Sequence, residues 1–345
     1  MRLNPMIPAA LSAIALLIVP ACSAEKRAGP DGAAGVPAAA VAPGGCERPS
    51  DPDAVRAELE AAEARAIAAA VASRGGGHPA LWTLKDEDTT LYLMGTVHML
   101  RPDVDWRTPE VDAAISSADT IVFEADTTSP EAGRDLMKFF SAQGMFGDGT
   151  QLTSLLTEGE VALLNEALVE VDLPLAAVQP MRPWYAAINL SIIQMTQEGF
   201  DPSSGVEMKI EAEAKARGAA FDYLETVDQQ LGEFAGLDNC AQIEFLMQTA
   251  EGMKEGTETL DLLVSEWADG DTVGLAALLA SPDSFGSDAA YDALLKNRNA
   301  RWAPLIAGML DEPGTRLIAV GAGHLAGNDS VIAMLRAEGY EVAGP

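Results

Sequence analysis

Two stretches of the sequence share one pattern, LYLMGTVH at residues 91–98 and LIAVGAGH at residues 317–324. Each stretch is an apolar run that ends in Gly-x-x-His, where x stands for any residue. Continuous apolar runs of this length are typical of strands that are covered on both faces of a sheet. Glycine allows the chain to turn tightly after such a strand. The sequence therefore predicts two buried strands, each followed by a histidine.

Other strand-like runs accompany these two, and long helical stretches separate them. The helical patterns run from Glu124 to Ala219 and from about Asp228 to Leu310. We therefore predict an α/β fold in which a mixed or parallel sheet carries two long helical insertions. The predicted strands are Leu81–Lys85, Thr90–Val97, Thr120–Glu124, Ala219–Glu225, Thr315–Gly321 and, as a sixth candidate, Tyr340–Val342.

Two helix ends are visible within the first insertion. Thr157 followed by Glu160 matches a capping box, in which side chains and backbone amides bond reciprocally at the start of a helix. Gly218 follows the charged run Glu211–Arg217, and glycine is common just beyond the last residue of a helix. We expect one helix to begin after Thr157 and another to end before Gly218.

The first residues predict an export signal rather than part of the fold. Arg2 precedes an apolar run that is too short to span a bilayer, and small residues follow it. Residues 1–21 are predicted to be a lipoprotein-type signal peptide, with Cys22 lipidated at the mature N-terminus. The alternative is simple export with cleavage after Ala24. We expect a periplasm-facing protein that meets the membrane through a lipid anchor only, or a soluble periplasmic one.

A segment rich in alanine, glycine and proline follows the signal. Residues 22–77 are predicted to be a flexible tether that contains a short helix at Val55–Ala72. Residues 78–345 form the predicted α/β domain. If Cys22 is lipidated, Cys46 and Cys240 remain, either as a disulfide in an oxidising compartment or as free cysteines.

Composition excludes some classes of partner. The chain has 345 residues, with 22 Lys+Arg against 52 Asp+Glu and a formal net charge of -30. Such a charge repels nucleic acids and anionic membrane surfaces, so neither is an expected partner. Histidine occurs only three times, which gives its positions added weight.

Three side chains with metal-binding chemistry follow predicted strands: His98, Glu124 and His324. In open α/β sheets, ligands bind beyond the carboxyl ends of the strands. Two imidazoles and a carboxylate suit Zn²⁺, Mn²⁺ or Co²⁺, and metal-bound water can attack an amide or ester carbonyl. The alternatives are packing or hydrogen-bonding roles for the two histidines, and a helix cap or an arginine partner for Glu124.

Several motifs follow one another between about His78 and Val342. They are the first Gly-x-x-His stretch, Val122–Glu124, Arg182–Trp184, Leu224–Thr226 with Gln230, Arg298-Asn299 with Trp302, and the second Gly-x-x-His stretch. In this order they resemble the TraB/PrgY/GumN family, which is similar to the Tiki proteins, membrane-tethered metalloproteases whose paired Gly-x-x-His motifs and glutamate are held to form the active site. The resemblance implies a Tiki/TraB-like α/β fold and a hydrolytic, divalent-metal-dependent site at His98, Glu124 and His324.

The resemblance also implies that Arg298 and Asn299 face this site as catalytic residues. An arginine there could hold an oxyanion or a substrate carboxylate, and the alternative is a surface arginine on a basic turn. Glu207 is either a second carboxylate near the metal or, as the helix dipole favours, a charge at the start of a helix. Gln230 is interpreted as structural.

Two functions remain open from the sequence. The first is an exported, lipid-anchored, metal-dependent hydrolase, most simply a peptidase acting on peptides or proteins, in which Glu124 is a ligand or the general base. The second is a non-catalytic protein of the cell envelope that binds or sequesters a peptide or small ligand. Activity that depends on a divalent metal favours the first, and binding that survives chelation favours the second.

Overall fold

The computed structural model describes residues 46, 61, 64–253, 258–280, 285 and 287–345. The predicted signal peptide, Cys22 and most of the predicted tether lie outside these residues. Of the predicted helix Val55–Ala72, residues 64–72 are described and are helical; we name them α1. None of the helices in the described ranges is long and apolar enough to cross a membrane.

A mixed sheet of six strands forms the centre of the described chain, in the order β4-β3-β5-β2-β1-β6. β2, β5, β3 and β4 pair in parallel, whereas β1 is antiparallel to both β2 and β6. The α/β prediction and all six predicted strands are therefore confirmed. The strands are β1 (Leu81–Lys85), β2 (Thr89–Thr96), β3 (Thr120–Phe123), β4 (Ala220–Tyr223), β5 (Gly314–Gly321) and β6 (Val342–Ala343).

Helices fill both intervals that the sequence assigns to insertions, with α3 to α7 in the first and α8 to α13 in the second. After α1 they are α2 (Pro109–Ser117), α3 (Pro130–Phe139), α4 (Glu158–Glu170), α5 (Leu175–Val178), α6 (Pro183–Gln197), α7 (Val206–Arg217), α8 (Val227–Ala235), α9 (Asn239–Gly252), α10 (Glu258–Asp269), α11 (Thr272–Leu279), α12 (Asp288–Tyr291), α13 (Asn297–Gly308) and α14 (Val331–Ala337).

Both predicted helix ends are confirmed. At the start of α4, Thr157 and Glu160 form the reciprocal hydrogen bonds of a capping box. At the end of α7, Gly218 adopts a left-handed conformation with φ of 77°, which side chains disfavour. These local signals could be read from the sequence because each depends on residues within one turn of the helix end.

The parallel strands β2, β5 and β3 bring their carboxyl ends to one edge of the sheet. Along β2 and β5, Gly95 lies beside Val320 and Thr96 beside Gly321. Leu91, Leu93 and the apolar residues of β5 are fully buried, as expected for strands that are covered on both faces. Residues that follow these strands therefore meet at the same edge.

Two contacts attach the N-terminal part of the chain to the domain. Cys46 forms a disulfide with Cys240 in the first turn of α9, with a Cα–Cα distance of 5.5 Å, which is the first of the two alternatives for these cysteines. Further along the chain, Asp269, at the end of α10, accepts two hydrogen bonds of 2.9 Å. The amide of Gly75 donates to its side chain and the amide of Gly77 donates to its carbonyl oxygen. The last residues of the predicted tether therefore contact the folded domain.

Candidate active site

Four chemically active side chains meet at the carboxyl edge of the parallel strands. His98 follows β2, Glu124 follows β3 and Glu225 follows β4, while His324 lies in the 3-10 turn after β5. All four are less than a tenth exposed. The structure thus brings together the three residues predicted as metal ligands, and it adds a second carboxylate.

Glu124 is the centre of a buried hydrogen-bond network. Its Oε1 accepts from the amide of Gly321 at 2.7 Å. Its Oε2 accepts from Nη2 of Arg298 at 2.6 Å and from Nε2 of Gln230 at 2.8 Å. Gln230 therefore helps to hold the central carboxylate in place.

Arg298, on α13, is buried against two carboxylates, so the surface alternative for this residue is wrong. Its Nη2 donates to Glu124 and to Glu225, each at 2.6 Å, and its Nε donates to Glu225 at 3.1 Å. Its Nη1 donates to the carbonyl oxygen of Leu294 and lies 3.1 Å from Nε2 of His324. The guanidinium group thus ties β3, β4 and the turn after β5 together.

These charges decide the ionisation of the two carboxylates. Burial alone would raise the pKa of Glu124, but the charge of Arg298, the nearby imidazoles and the amide of Gly321 lower it to about 2. Burial raises the pKa of Glu225, and Arg298 opposes that rise. Glu124 is therefore an anion at neutral pH.

Asn299 fixes the protonation of His324. Its Oδ1 lies 2.6 Å from Nδ1 of His324, and a carbonyl oxygen only accepts, so Nδ1 carries the proton. Its amide nitrogen donates to the carbonyl oxygen of Asp329, which sets the orientation of the amide. Burial and the charge of Arg298 lower the pKa of His324 to about 3. His324 is therefore neutral, with the lone pair of Nε2 directed towards Arg298.

His98 is oriented by Glu207, in the first turn of α7. Nδ1 of His98 lies 2.5 Å from Oε1 of Glu207, close enough for an ion pair, although the contact lacks the geometry of a hydrogen bond. Burial lowers the pKa of His98, but Glu207 and Glu124 outweigh it and raise the pKa above its usual value. Glu207 therefore has both proposed positions: it begins a helix and lies beside a predicted ligand.

Gly205 makes this pairing possible. A Cβ atom at Gly205 would lie 2.2 Å from the carbonyl oxygen of His98, so only glycine allows α7 to begin so close to the end of β2. The amide of Val206 then donates to the carbonyl oxygen of Val97 at 3.0 Å. This close approach places Glu207 against the imidazole ring.

A cleft opens at this edge of the sheet, with about 480 Å³ of space that includes some open solvent. Glu124 reaches it from one side, whereas Arg298, Asn299 and His324 lie behind Glu124 and do not line it. Within the described chain, the buried Nε2 of His98 has no hydrogen-bond partner. The lining residues are His98, Phe123, Glu124, Ala125, Thr127, Thr128, Glu207, Met208, Glu211, Tyr223, Gln230 and Ala319.

The candidate ligands His98, Glu124 and His324 suit a divalent metal by residue type, but their positions in this structure do not form a metal site. The anionic Glu124 and the neutral His324 are in the protonation states that metal ligands require, whereas His98, whose pKa is raised, must give up a proton before its unpartnered Nε2 can bind a metal. However, no three His, Cys, Asp or Glu side chains of the described ranges are grouped as a metal site would need. Arg298 contacts both Glu124 and His324, so a metal held by these two residues requires the guanidinium group to move.

The comparisons agree with this architecture. A model of the TraB/PrgY/gumN family matches residues 80–343. The chain belongs to the TraB/PrgY/gumN family. No curated protein and no solved structure matches it. In this TraB/PrgY/gumN protein, the matched residues include the whole parallel sheet and all of the side chains around Glu124.

Sequence reasoning about this TraB/PrgY/gumN protein assigned no role to Glu225. A signal was present, because Glu225 ends the predicted strand Ala219–Glu225 just as Glu124 ends the predicted strand Thr120–Glu124. The two strands are parallel neighbours, with Phe123 beside Tyr223, so the two glutamates follow adjacent strand ends. The glutamate at the end of both predicted strands is the sequence signal from which the second carboxylate could have been found.

The low pKa of His324 predicts a pH dependence of stability. The pKa of His324 is about 3 in the folded chain and 6.5 in the unfolded chain. Between these two pH values, unfolding is therefore accompanied by the uptake of one proton. The stabilisation is therefore complete above pH 6.5 and is lost as the pH falls towards 3. We expect a slope of about 1.4 kcal/mol per pH unit from this residue.

Urea denaturation between pH 7 and pH 4 measures this slope. His324→Gln is expected to lack it, while His78→Gln, a change at an exposed histidine, is expected to retain it. Equal slopes in the two variants would contradict a buried, neutral His324.

Proposed function

We propose that this protein is a divalent-metal-dependent hydrolase that cleaves peptides or proteins at the cleft beside His98 and Glu124. The observation that supports the proposal most directly is the unpartnered Nε2 of His98. A buried imidazole nitrogen without a partner is costly, and a ligand in the cleft would satisfy it. Glu124, anionic and beside it, supplies the charge that a cation needs.

His98, His324 and Glu124 would hold the metal, Mn²⁺, Co²⁺ or Zn²⁺. A bound divalent ion supplies a water of lowered pKa and polarises the carbonyl group under attack. Glu207 keeps His98 in place by its contact with Nδ1, and Asn299 keeps the Nε2 lone pair of His324 free of a proton.

Arg298 and Asn299 act on the site through other residues in this proposal. All the nitrogens of the guanidinium group contact protein groups, so Arg298 keeps Glu124 ionised and aligned rather than binding substrate. Asn299 is hydrogen-bonded on both sides, to His324 and to Asp329. We therefore assign positioning roles to the two residues that the resemblance implied to be catalytic.

We also propose that the chain is exported and held at the membrane by a lipid on Cys22. The disulfide between Cys46 and Cys240 supports export, because such bonds persist in oxidising compartments. Mass spectrometry of the mature N-terminus tests the anchor. An acylated Cys22 supports it, and a chain that begins after Ala24 supports simple export instead.

Purified mature protein tests the hydrolase. We expect metal-dependent cleavage of a peptide library, and a fall of more than about 100-fold in metal affinity and turnover for His98→Ala, since loss of even an outer partner of a ligand costs 10- to 100-fold. His78→Ala is the matched control and should change neither. Unchanged metal binding and turnover in His98→Ala would overturn the proposal.

One observation favours a second function, capture of a peptide without cleavage. Arg298 lies where a metal shared by Glu124 and His324 would need access to both. If this contact is permanent, the cleft binds ligands but has no metal. Stoichiometric peptide binding that is unchanged by EDTA, with no products after long incubation, would support capture over hydrolysis.

A further inference from the structure

The cleft is lined by three carboxylates, and His98 is the basic residue of its described wall. Glu124, Glu207 and Glu211 contribute to its described wall, which contains neither lysine nor arginine. Two of these carboxylates are compensated from within the protein, Glu124 by Arg298 and Glu207 by His98. Glu211 is different, because its compensating charge comes from solvent-exposed Lys215, one turn further along α7.

The contact between Lys215 and Glu211 shows what kind of group this wall binds. Nζ of Lys215 lies 2.8 Å from Oε1 of Glu211, and the lysine side chain is 56% exposed. Although the side chain of Glu211 is only 9% exposed, its partner is a flexible lysine that is mostly exposed to solvent, so a cation of a bound molecule that reaches the cleft can replace Lys215. Thr128 donates a hydrogen bond to the same carboxylate oxygen and holds it at the cleft.

Tyr223 lies on the same wall, and acidic residues surround it. Burial raises its pKa to about 12, and Asp126, Glu211 and Asp222 add to the rise. Phe123 also lines the cleft, and its ring stacks on Phe221 with centroids 6.3 Å apart. Aromatic rings beside carboxylates attract cations through both the charge and the ring face.

The unpartnered nitrogen of His98 indicates that this acidic cleft receives a ligand. His98 is only 6% exposed, lines the cleft and has no hydrogen-bond partner for Nε2 within the described residues. The cleft therefore combines a buried group that needs a partner with a wall whose charge selects that partner.

We infer that the cleft selects peptides that carry a lysine or arginine side chain, whose cation binds to the carboxylate of Glu211 beside the ring of Tyr223. This inference rests on the proposed function, because it names the substrate class of the same cleft. An acidic side chain at that position meets like charges and is rejected.

Three synthetic peptides of equal length test the inference, identical except for one central Lys, Gln or Glu. Fluorescence polarisation measures their binding to the full chain, and chromatography measures their cleavage with added Mn²⁺. At about 0.02 M salt, we expect the Lys peptide to bind roughly tenfold more tightly than the Glu peptide, with the Gln peptide between them. At about 0.3 M salt the difference should shrink, because exposed charges are screened.

Two variants locate the effect. Glu211→Gln removes the charge at the proposed position but keeps a side-chain oxygen that can accept from Thr128, so it should reduce the Lys-to-Glu ratio at least about threefold. Asp135→Asn is the control, because Asp135 is an exposed carboxylate on α3 that does not line the cleft. It should leave the ratio unchanged.

The outcomes separate this inference from the proposed function. Equal binding of the three peptides, or equal effects of the two variants, would overturn charge selection by the cleft. Cleavage of all three peptides at one rate, with equal binding, supports the hydrolase and overturns the selection. Preferential binding of the Lys peptide with no cleavage supports the selection and counts against the hydrolase.

Discussion

Replacing Arg298 with methionine is expected to lower the free energy of unfolding by about 3–5 kcal/mol, because one cation compensates two buried carboxylates. Methionine fills much of the same space but leaves the neighbouring carboxylates of Glu124 and Glu225 without the cation that compensates them. A buried charge that loses its partner costs more than the pair contributed, since its desolvation is no longer offset.

Urea denaturation at pH 7 measures the effect, and Arg134→Met is the control. Arg134 pairs with Glu131 on the surface of α3, where an ion pair contributes at most about 1 kcal/mol. The cost of Arg298→Met should also shrink below pH 5, because Glu124 and Glu225 can then bind protons in the folded variant. A loss as small as that of Arg134→Met would contradict the buried network.

Removing the disulfide is expected to have an effect of similar size. The bond between Cys46 and Cys240 joins residues 194 positions apart. In the chain-entropy model, a closed loop of that length restricts the unfolded chain enough to contribute about 5 kcal/mol. The free energy of unfolding of the double variant Cys46→Ser/Cys240→Ser should therefore be lower by that amount, and urea denaturation measures the difference.

A reducing agent provides the matched control. Wild-type protein with reductant should approach the stability of the double variant, and the double variant itself should not respond to reductant. Wild-type stability that is the same with and without reductant, after the thiols have been shown to be free, would contradict the expected role of the bond.

Some of the site could be predicted because its residues adjoin strong local patterns. His98, Glu124 and His324 each follow an apolar run, and the end of a buried strand is a place where function is expected. The strand order could not be predicted in this way. β5 lies between β2 and β3, and pairing between strands that are far apart in sequence leaves no local signal.

Arg298 illustrates the other limit of sequence reasoning. Its neighbours, from Lys296 to Arg301, are so polar that the segment is typical of a solvent-exposed turn. Its burial depends on Glu124 and Glu225, which come from two other elements of the chain. A charge that is buried only because distant partners compensate it cannot be recognised from the residues beside it.

The position of β5 in the sequence determines when the cleft can form during folding. This strand begins at Gly314, near the end of the described chain, yet it pairs with both β2 and β3 and supplies the amide that binds Glu124. Pairing between strands so distant in sequence is intrinsically slow, because the long intervening chain must be closed into a loop before the pairing is gained. Until these strands pair, His98 and Glu124 lack the strand that holds them side by side. The cleft is therefore assembled only after the last parallel strand has been synthesised and has paired with β2 and β3.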